Sequence, residues 1–337
     1  MLAIKSSVPE CTASSIDNLP ALLAQQTTPL VIRNLVAHWP LVTQTQYGAA
    51  QTIDYLATLA SNEPVRTFEA PAAEQGYYFY NSEMTGFNFT QHASNLQALL
   101  ATLKSRLSEP QPDSIYMGST NADYCAPQFS AQHPLAVTKK NCLKSLWVGN
   151  HSRIAAHYDN ADNLACVAAG EREFIIFPPE QVANLYIGPL EFTPAGQPVS
   201  LVDFSKPDFT IFSRFKLALE HAQIAKLAPG DAIFIPALWW HHVTAQAQFN
   251  VLVNYWWRNS ADYLANPFDA LLHSMLAIKD LPQLQRNHWQ QLFAHYVFSE
   301  NNTLTAQIAP HAIGILGDID EQTARKVRAL LLQKLNR

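Results

Sequence analysis

Two short stretches of the sequence carry side chains suited to binding a metal ion. The first is His157-Tyr158-Asp159, which directly follows the apolar residues Ile154–Ala156 and is expected to lie on a β-strand with them. Because strand side chains alternate between two faces, His157 and Asp159 should point the same way and Tyr158 the other way. An imidazole nitrogen beside a carboxylate supplies two metal ligands, although such a pair is often only a hydrogen bond.

A third ligand is expected from His241 or His242, which follow a Pro-Gly-Asp turn and an aromatic run. His241 lies 84 positions after His157, a separation that suits two distant strands of one barrel. Neighbours on a strand face opposite ways, so one of the two histidines joins the site, and the spacing leaves open which. Two histidines and one carboxylate form the facial triad of non-haem Fe(II) oxygenases, a donor set that also accepts other divalent transition metals.

Strand patterns dominate the elements that must position these residues. Many short strands separated by turn residues predict a mainly β fold, a sandwich or barrel rather than a doubly wound sheet. The expected strands are Ser114–Met117, Leu143–Val148, Ile154–Tyr158, Leu164–Ala168, Glu173–Phe177, Ile224–Leu227, Ala232–Ile235, His242–Ala245 and Phe249–Trp257.

Helices are expected to flank the barrel, and the change of pattern divides the chain into three parts. Residues 1–110 are predicted to form a mixed α/β region that packs on the barrel, and residues 111–260 the barrel core. Residues 261–337 are predicted to be helical, with three apolar stripes at helical spacing. Such stripes usually face a protein's own core. Three in succession also suit the contact between two subunits, so a homodimer through these helices is predicted.

Composition excludes several classes of protein. Hydrophobic residues make up 48% of the 337 and charged residues 15%, which excludes intrinsic disorder. The net charge of −5 disfavours binding to nucleic acids or anionic membranes. The four cysteines have no CxxC spacing and are expected to be reduced thiols. With no signal-like start and no long apolar run, we expect a soluble cytoplasmic protein.

The ordered series of motifs resembles bacterial cupin-like proteins of the JmjC type, and among them the asparaginyl hydroxylase group that acts on hypoxia-inducible factor. The resemblance covers roughly residues 20–260, and the final helices match only in kind. It implies a double-stranded β-helix, a jelly-roll barrel, that holds Fe(II) and 2-oxoglutarate. The matching motifs are Thr28–Arg33, Trp39-Pro40, Leu146–Gly149, His157–Asp159, Gly170, Phe177–Gln181, Pro229–Asp231, Ile235-Pro236, Trp239–His242 and Val253–Trp256.

The resemblance also assigns roles by position. It implies that His157, Asp159 and His241 bind the metal, because relatives with one histidine keep it directly after the aromatic residue. His242 would then face the outer layer. The residues that it implies around 2-oxoglutarate are Tyr116, Asn163, Arg172 and Asn254.

Two residues of the implied pocket depart from the family pattern. Arg172 stands where the family has a lysine for the far carboxylate of 2-oxoglutarate, and alternation places it with Phe174 and Ile176 on an inward face. A guanidinium group can grip a carboxylate with two hydrogen bonds, although an arginine on a hairpin can also lie at the surface. Ile154 stands where the family has a threonine, so one hydrogen bond would be missing, worth about 0.5–1.5 kcal/mol, or about 1.5–3 kcal/mol where the acceptor is charged.

These features predict an Fe(II)- and 2-oxoglutarate-dependent dioxygenase, a hydroxylase of a protein, peptide or small-molecule substrate. The departures at Ile154 and Arg172 also fit a metal-binding cupin-like protein that holds a small carboxylate without turnover. A metal-free scaffold that dimerises through the C-terminal helices is a third interpretation. The rim loop expected over residues 188–220 should select the substrate, but its sequence does not identify one.

Overall fold

The structure is a computed structural model that describes residue 2 and residues 4–137, 142–299 and 304–336. The strands of these residues form two β-sheets, both within the first 259 residues. The first sheet has six strands and the second has nine. The strands of this described part are β1 (Ser6–Ser7), β2 (Glu10–Thr12), β3 (Leu30–Arg33), β4 (Pro64–Ala70), β5 (Tyr77–Tyr78), β6 (Thr90–Asn95), β7 (Ser114–Asn121), β8 (Leu143–Gly149), β9 (Ser152–His157), β10 (Asp162–Ala169), β11 (Arg172–Phe177), β12 (Gln223–Leu227), β13 (Ala232–Ile235), β14 (Trp240–Ala245) and β15 (Asn250–Trp257).

The strand order is that of a jelly roll. The six-stranded sheet runs β1-β12-β11-β14-β9-β5, and the nine-stranded sheet runs β2-β3-β13-β10-β15-β8-β7-β4-β6. Pairing is antiparallel except at the short strands β1, β2 and β5. From β8 onward, several strands adjacent in sequence lie in different sheets, as β8 and β9, β9 and β10, and β13 and β14 do, so the chain crosses repeatedly between the two layers. The predicted mainly β fold, a double-stranded β-helix with helices, is confirmed.

Alternating apolar residues hold the two sheets together. Phe174 and Ile176 of β11 pack with Val167 of β10 and Ile233 of β13 in one buried cluster. The opposite faces of the same strands carry Ile175 and other residues that belong to separate clusters. Each sheet is therefore covered by apolar residues on both sides.

Helices cover the outer face of the larger sheet. Leu96, Leu99, Leu100 and Leu103 recur at helical spacing on α4 (Leu96–Arg106), and all four are buried there. The Asn18 side chain accepts a hydrogen bond from the backbone N–H of Ala21 and so caps α1 (Leu19–Gln25). The helices of the first 259 residues are α1 (Leu19–Gln25), α2 (Pro40–Gln44), α3 (Ala49–Leu59), α4 (Leu96–Arg106), α5 (Ala122–Cys125), α6 (Phe129–Gln132) and α7 (Phe215–Glu220).

The chain divides into two compact units, Met1–Asn259 and Ser260–Arg337. The second unit contains α8 (Pro267–Ile278), α9 (Gln283–Tyr296) and α10 (Glu321–Leu335), at the three predicted stripes. Neither α8 nor α9 buries a residue, and Leu276 is 82% exposed. Homodimerisation through these helices stays a prediction. No helix in the described ranges combines the length and the apolar character needed to cross a bilayer.

Gly170, in the turn between β10 and β11, gives a test of the fold. Its φ is +73°, and a Cβ there would lie 2.2 Å from Oδ1 of Asn250. Gly196 has a similar φ of +78° with nothing within 4 Å. We expect Gly196→Ala to lower the free energy of unfolding by about 1–2 kcal/mol through backbone strain alone, and Gly170→Ala to lower it further through the clash. Urea unfolding measures both. Equal losses would contradict the close packing at Gly170.

Candidate metal and co-substrate site

The structure brings His157, Asp159 and His241 together. His157 is the last residue of β9, and its cross-strand partner on β14 is His241. The two ring centroids lie 4.3 Å apart. Asp159 follows the end of β9 rather than lying on it, yet one potential ligand atom from each of the three residues lies within 4.8 Å of the others. Two nitrogens and a carboxylate oxygen therefore face one point between the sheets.

Backbone carbonyls orient both imidazoles. Nδ1 of His157 lies 2.9 Å from the carbonyl oxygen of Ala155, and Nδ1 of His241 lies 3.0 Å from that of Trp239. A carbonyl only accepts, so each Nδ1–H donates, and Nε2 is the ring nitrogen left to bind a metal. Holding the second ring nitrogen in this way is the usual means by which a protein orients a histidine ligand.

The carboxylate of Asp159 is held by neighbouring side chains. The indole N–H of Trp256 donates to its Oδ2 at 3.2 Å, and the amide of Asn163 makes a longer contact of 3.5 Å with the same oxygen. Asn254 in turn donates to Asn163 at 2.8 Å. Oδ2 also lies 3.7 Å from Nε2 of His241. Two of the predicted co-substrate residues thus form a hydrogen-bonded chain that ends at Asp159.

Burial keeps His241 in the form that binds metals. Burial lowers the pKa of His241 most, the neighbouring His157 lowers it further, and Asp159 opposes this shift. The ring is therefore neutral at neutral pH. A neutral imidazole can coordinate a cation, whereas an imidazolium cannot.

His242 lies on the opposite side of β14. Its ring is buried and stacks on Phe204 with centroids 4.7 Å apart, in the layer outside the six-stranded sheet. Burial, then the positive charge of Arg153, lowers its pKa to about 3. Between the two neighbouring histidines, the structure places His241 in the site with His157.

A bulge in β9 explains one result that alternation does not predict. Between the pairs His157–His241 and Ile154–Val243, β9 contributes two residues and β14 contributes one. Residues three apart on a regular strand face opposite ways, but the extra residue turns both Ile154 and His157 toward the same cavity. Ile154 therefore lies in the wall of the site, at the position where the family pattern has a threonine.

A cavity of about 730 Å³ contains the three candidate ligands. Its apolar wall includes Phe174, Val243 and Leu252. The four residues predicted around 2-oxoglutarate come from four different strands and all line this cavity: Tyr116 on β7, Asn163 on β10, Arg172 on β11 and Asn254 on β15.

Arg172 is a buried cation without an anionic partner among the described residues. Arg172 is 8% exposed, and its Nε has no hydrogen-bond partner among the same residues. Burial lowers its pKa to about 10, so the guanidinium remains charged at neutral pH. The expected inward direction is what the structure has, since Phe174 and Ile176 share its face. An unpaired charge in such a place is costly unless a ligand of opposite charge joins it.

Tyr116 adds a neutral hydroxyl to the same wall. Burial raises the pKa of its phenol, so the group stays protonated and able to donate. Its ring stacks on Phe68 with centroids 5.0 Å apart. Phe68 and Arg66, which lie two positions apart on β4, also line the cavity and were not predicted from the sequence. Had this segment been recognised as a strand, alternation would have put Arg66 and Phe68 on one face and Val65 and Thr67 on the other.

Together the fold and the site define a cupin-type β-barrel with a potential metal centre at its core. The cupin-like domain family model matches residues 18–263, more than half of the chain. The chain therefore belongs to the cupin-like domain family, of JmjC type.

Curated relatives agree with this family. The chain is 31% identical over 123 residues to the lysine-specific demethylase JMJ31 of Arabidopsis thaliana. The aligned segment covers 36% of this chain and 22% of that protein. It is 36% identical over 103 residues to tRNA wybutosine-synthesizing protein 5 of Danio rerio, covering 31% and 28% respectively. It is 22% identical over 267 residues to Jumonji C domain-containing protein 5 of Drosophila melanogaster, covering 74% and 59%. The matched segments thus span less than two thirds of each relative.

The neighbouring histidines provide a matched test of the metal site. We expect His241→Ala to reduce binding of Mn²⁺ or Fe(II) by more than about tenfold, because one of three protein ligands is lost. His242→Ala should keep the metal affinity, since its ring lies on Phe204 outside the cavity. Titration calorimetry of chelator-treated protein measures both. Retained affinity in His241→Ala with loss in His242→Ala would contradict the assignment.

The metal-free protein should lose stability in acid. The folded pKa of His242 is about 3 and its unfolded pKa about 6.5, so below pH 6.5 the unfolded chain binds a proton that the folded chain does not. The neutral ring of His242 therefore contributes fully to the free energy of unfolding above about pH 6.5. About 1 kcal/mol of that contribution is lost when the pH falls to about 5.5. His242→Phe should therefore show a shallower decline when urea unfolding of chelator-treated protein is compared at the two ends of this range. Equal declines would contradict the shift.

Proposed function

We propose that this protein is an Fe(II)- and 2-oxoglutarate-dependent oxygenase, a hydroxylase of a protein, peptide or small-molecule substrate. The observation that carries the proposal is the unpaired guanidinium of Arg172 in the same cavity as His157, Asp159 and His241. A metal centre and a buried cation side by side suit a ligand that chelates at one end and carries a carboxylate at the other. 2-Oxoglutarate has both features.

The donor set fits the proposed metal. Two imidazoles held through their Nδ1 atoms by backbone carbonyls, together with one carboxylate, match the ligands of non-haem Fe(II) oxygenases, which leave three positions open. When bound, Fe(II) with 2-oxoglutarate and O₂ would supply the oxidising chemistry, with succinate and carbon dioxide as co-products. His157, Asp159 and His241 would hold the ion, and Trp256 would keep the carboxylate of Asp159 in place.

The remaining residues would orient the co-substrate and keep water out. Arg172 would grip the far carboxylate, and the hydroxyl of Tyr116 would donate to it. Phe174 and Leu252 close the space between the sheets, and a low dielectric strengthens the attraction between guanidinium and carboxylate. Ile154 contributes an apolar surface in place of a hydroxyl, so Arg172 would provide more of the binding energy here.

The relatives support an enzymatic function. One is named as a demethylase and another as a protein of wybutosine synthesis. The narrower resemblance to the asparaginyl hydroxylases is part of this proposal, as is the hydroxylation of a peptide or small molecule.

A second function is favoured by a specific residue. Ile154 stands in the wall of the cavity where the family pattern has a hydroxyl, and a protein that binds metal and a small carboxylate without turnover would tolerate this change.

Under anaerobic conditions, addition of 2-oxoglutarate to the Fe(II) protein should produce a new visible absorption band if the keto acid chelates the metal. Succinate formed in air that depends on iron, and that is lost in Asp159→Ala, would then favour the oxygenase. The absence of both the band and succinate would favour the binding protein.

Arg172→Met separates a binding role from a structural one. We expect the affinity of the metal-loaded protein for 2-oxoglutarate to fall by about tenfold or more, because a charged hydrogen-bonded contact worth about 1.5–3 kcal/mol is removed. The metal-free variant should unfold at an equal or higher urea concentration, because an unpaired buried charge is removed. Arg172→Lys is the matched control and should keep part of the affinity. Unchanged affinity in Arg172→Met would contradict this role.

A further inference from the structure

A second arginine, Arg66, lies at the outer part of the same cavity. On β4, Val65 and Thr67 are buried, with Val65 in the core beneath the larger sheet, whereas Arg66 and Phe68 line the cavity. Arg66 is exposed to solvent and Arg172 is buried, so the cavity has a cation near its mouth as well as one in its interior.

Arg66 has no acidic partner among the described residues. Its cross-strand neighbour on β6 is Ala93, which carries no charge. The nearest acid along β4, Glu69, is already paired with Arg106. Asp159 is the one carboxylate in the described lining of the cavity, and it belongs to the candidate metal site. The charge of Arg66 is therefore available to a ligand.

Uncharged residues surround Arg66 and form one wall of the cavity. Gln91, opposite Phe68 on β6, lines the cavity and offers an uncharged amide. Gly118 of β7 lies against Phe68, where a Cβ would come within 2.9 Å of the ring. The absence of a side chain at Gly118 lets this aromatic ring lie flat against Tyr116, with Arg66 and Gln91 beside it.

We propose that the primary substrate carries an anionic group, a carboxylate or a phosphate, which Arg66 binds at the mouth of the cavity. This inference rests on the proposed function, in which Arg172 holds the carboxylate of the co-substrate. Two cations at different depths would then serve two different anions. The planar guanidinium suits either a carboxylate or a phosphate, and Gln91 can donate a further hydrogen bond.

Small probes of matched shape test this inference. The protein is loaded with Mn²⁺ and saturated with N-oxalylglycine, an unreactive analogue of 2-oxoglutarate. It is then titrated with three blocked single-residue peptides, which contain glutamate, phosphoserine or glutamine. The paramagnetic Mn²⁺ broadens the NMR signals of a probe held in the cavity, so the measurement reports binding near the metal rather than elsewhere on the surface.

We expect the glutamate or phosphoserine probe to bind about tenfold more tightly than the glutamine probe, and the tighter of the two identifies the anion. Arg66→Ala should abolish this preference, and Arg66→Lys should keep part of it. Lys104→Ala, which removes an exposed charge that pairs with Asp54, is the matched control and should keep the whole preference.

Equal binding of all three probes to the wild type, or an undiminished preference in Arg66→Ala, would overturn the inference. Failure of the proposed function has a different signature: the Fe(II) protein would then form no iron-dependent succinate from 2-oxoglutarate, whichever of the three probes binds. The three probes are also titrated without N-oxalylglycine, so the role of Arg66 is decided in either case.

Discussion

The antiparallel pairing of β9 with β14 is the constraint on which the site depends. It sets His157 directly opposite His241, although 84 positions separate them in the chain. The carbonyls of Ala155 and Trp239 then fix the orientation of the two rings. Strand pairing therefore sets where the two histidines lie, and backbone carbonyls set how their rings are turned, so the backbone of the barrel builds most of the metal-binding geometry.

The interior of the barrel also holds polar groups that folding alone does not explain. Arg172 and Asn254 each keep a buried polar atom without a partner among the described residues, in a cavity whose wall also includes the apolar residues Phe174, Val243 and Leu252. Burying such groups lowers stability, and the extensive core on the outer faces of both sheets offsets the loss. This pattern is typical of a binding site rather than of a structural core, and it links the burial of Arg172 to the proposed co-substrate.

Much of the barrel could be predicted from the sequence because its strands are apolar and bounded by turns, and Ala232–Ile235 was predicted to the residue. β6 was not predicted, since Thr90–Asn95 contains no large apolar residue and lies exposed at the sheet edge. The alternation of side chains along the strand correctly predicted that Arg172 points inward. It could not show that Ile154 shares a face with His157, because a bulge depends on the partner strand. The choice between His241 and His242 likewise required the three-dimensional packing of Phe204.

The most direct test of the central claim is a crystal structure of the protein soaked with Fe(II) and 2-oxoglutarate in the absence of oxygen. The account predicts one metal ion bound by Nε2 of His157, Nε2 of His241 and the carboxylate of Asp159, with the far carboxylate of 2-oxoglutarate on the guanidinium of Arg172. Metal bound elsewhere, or a keto acid whose far end does not contact Arg172, would contradict it.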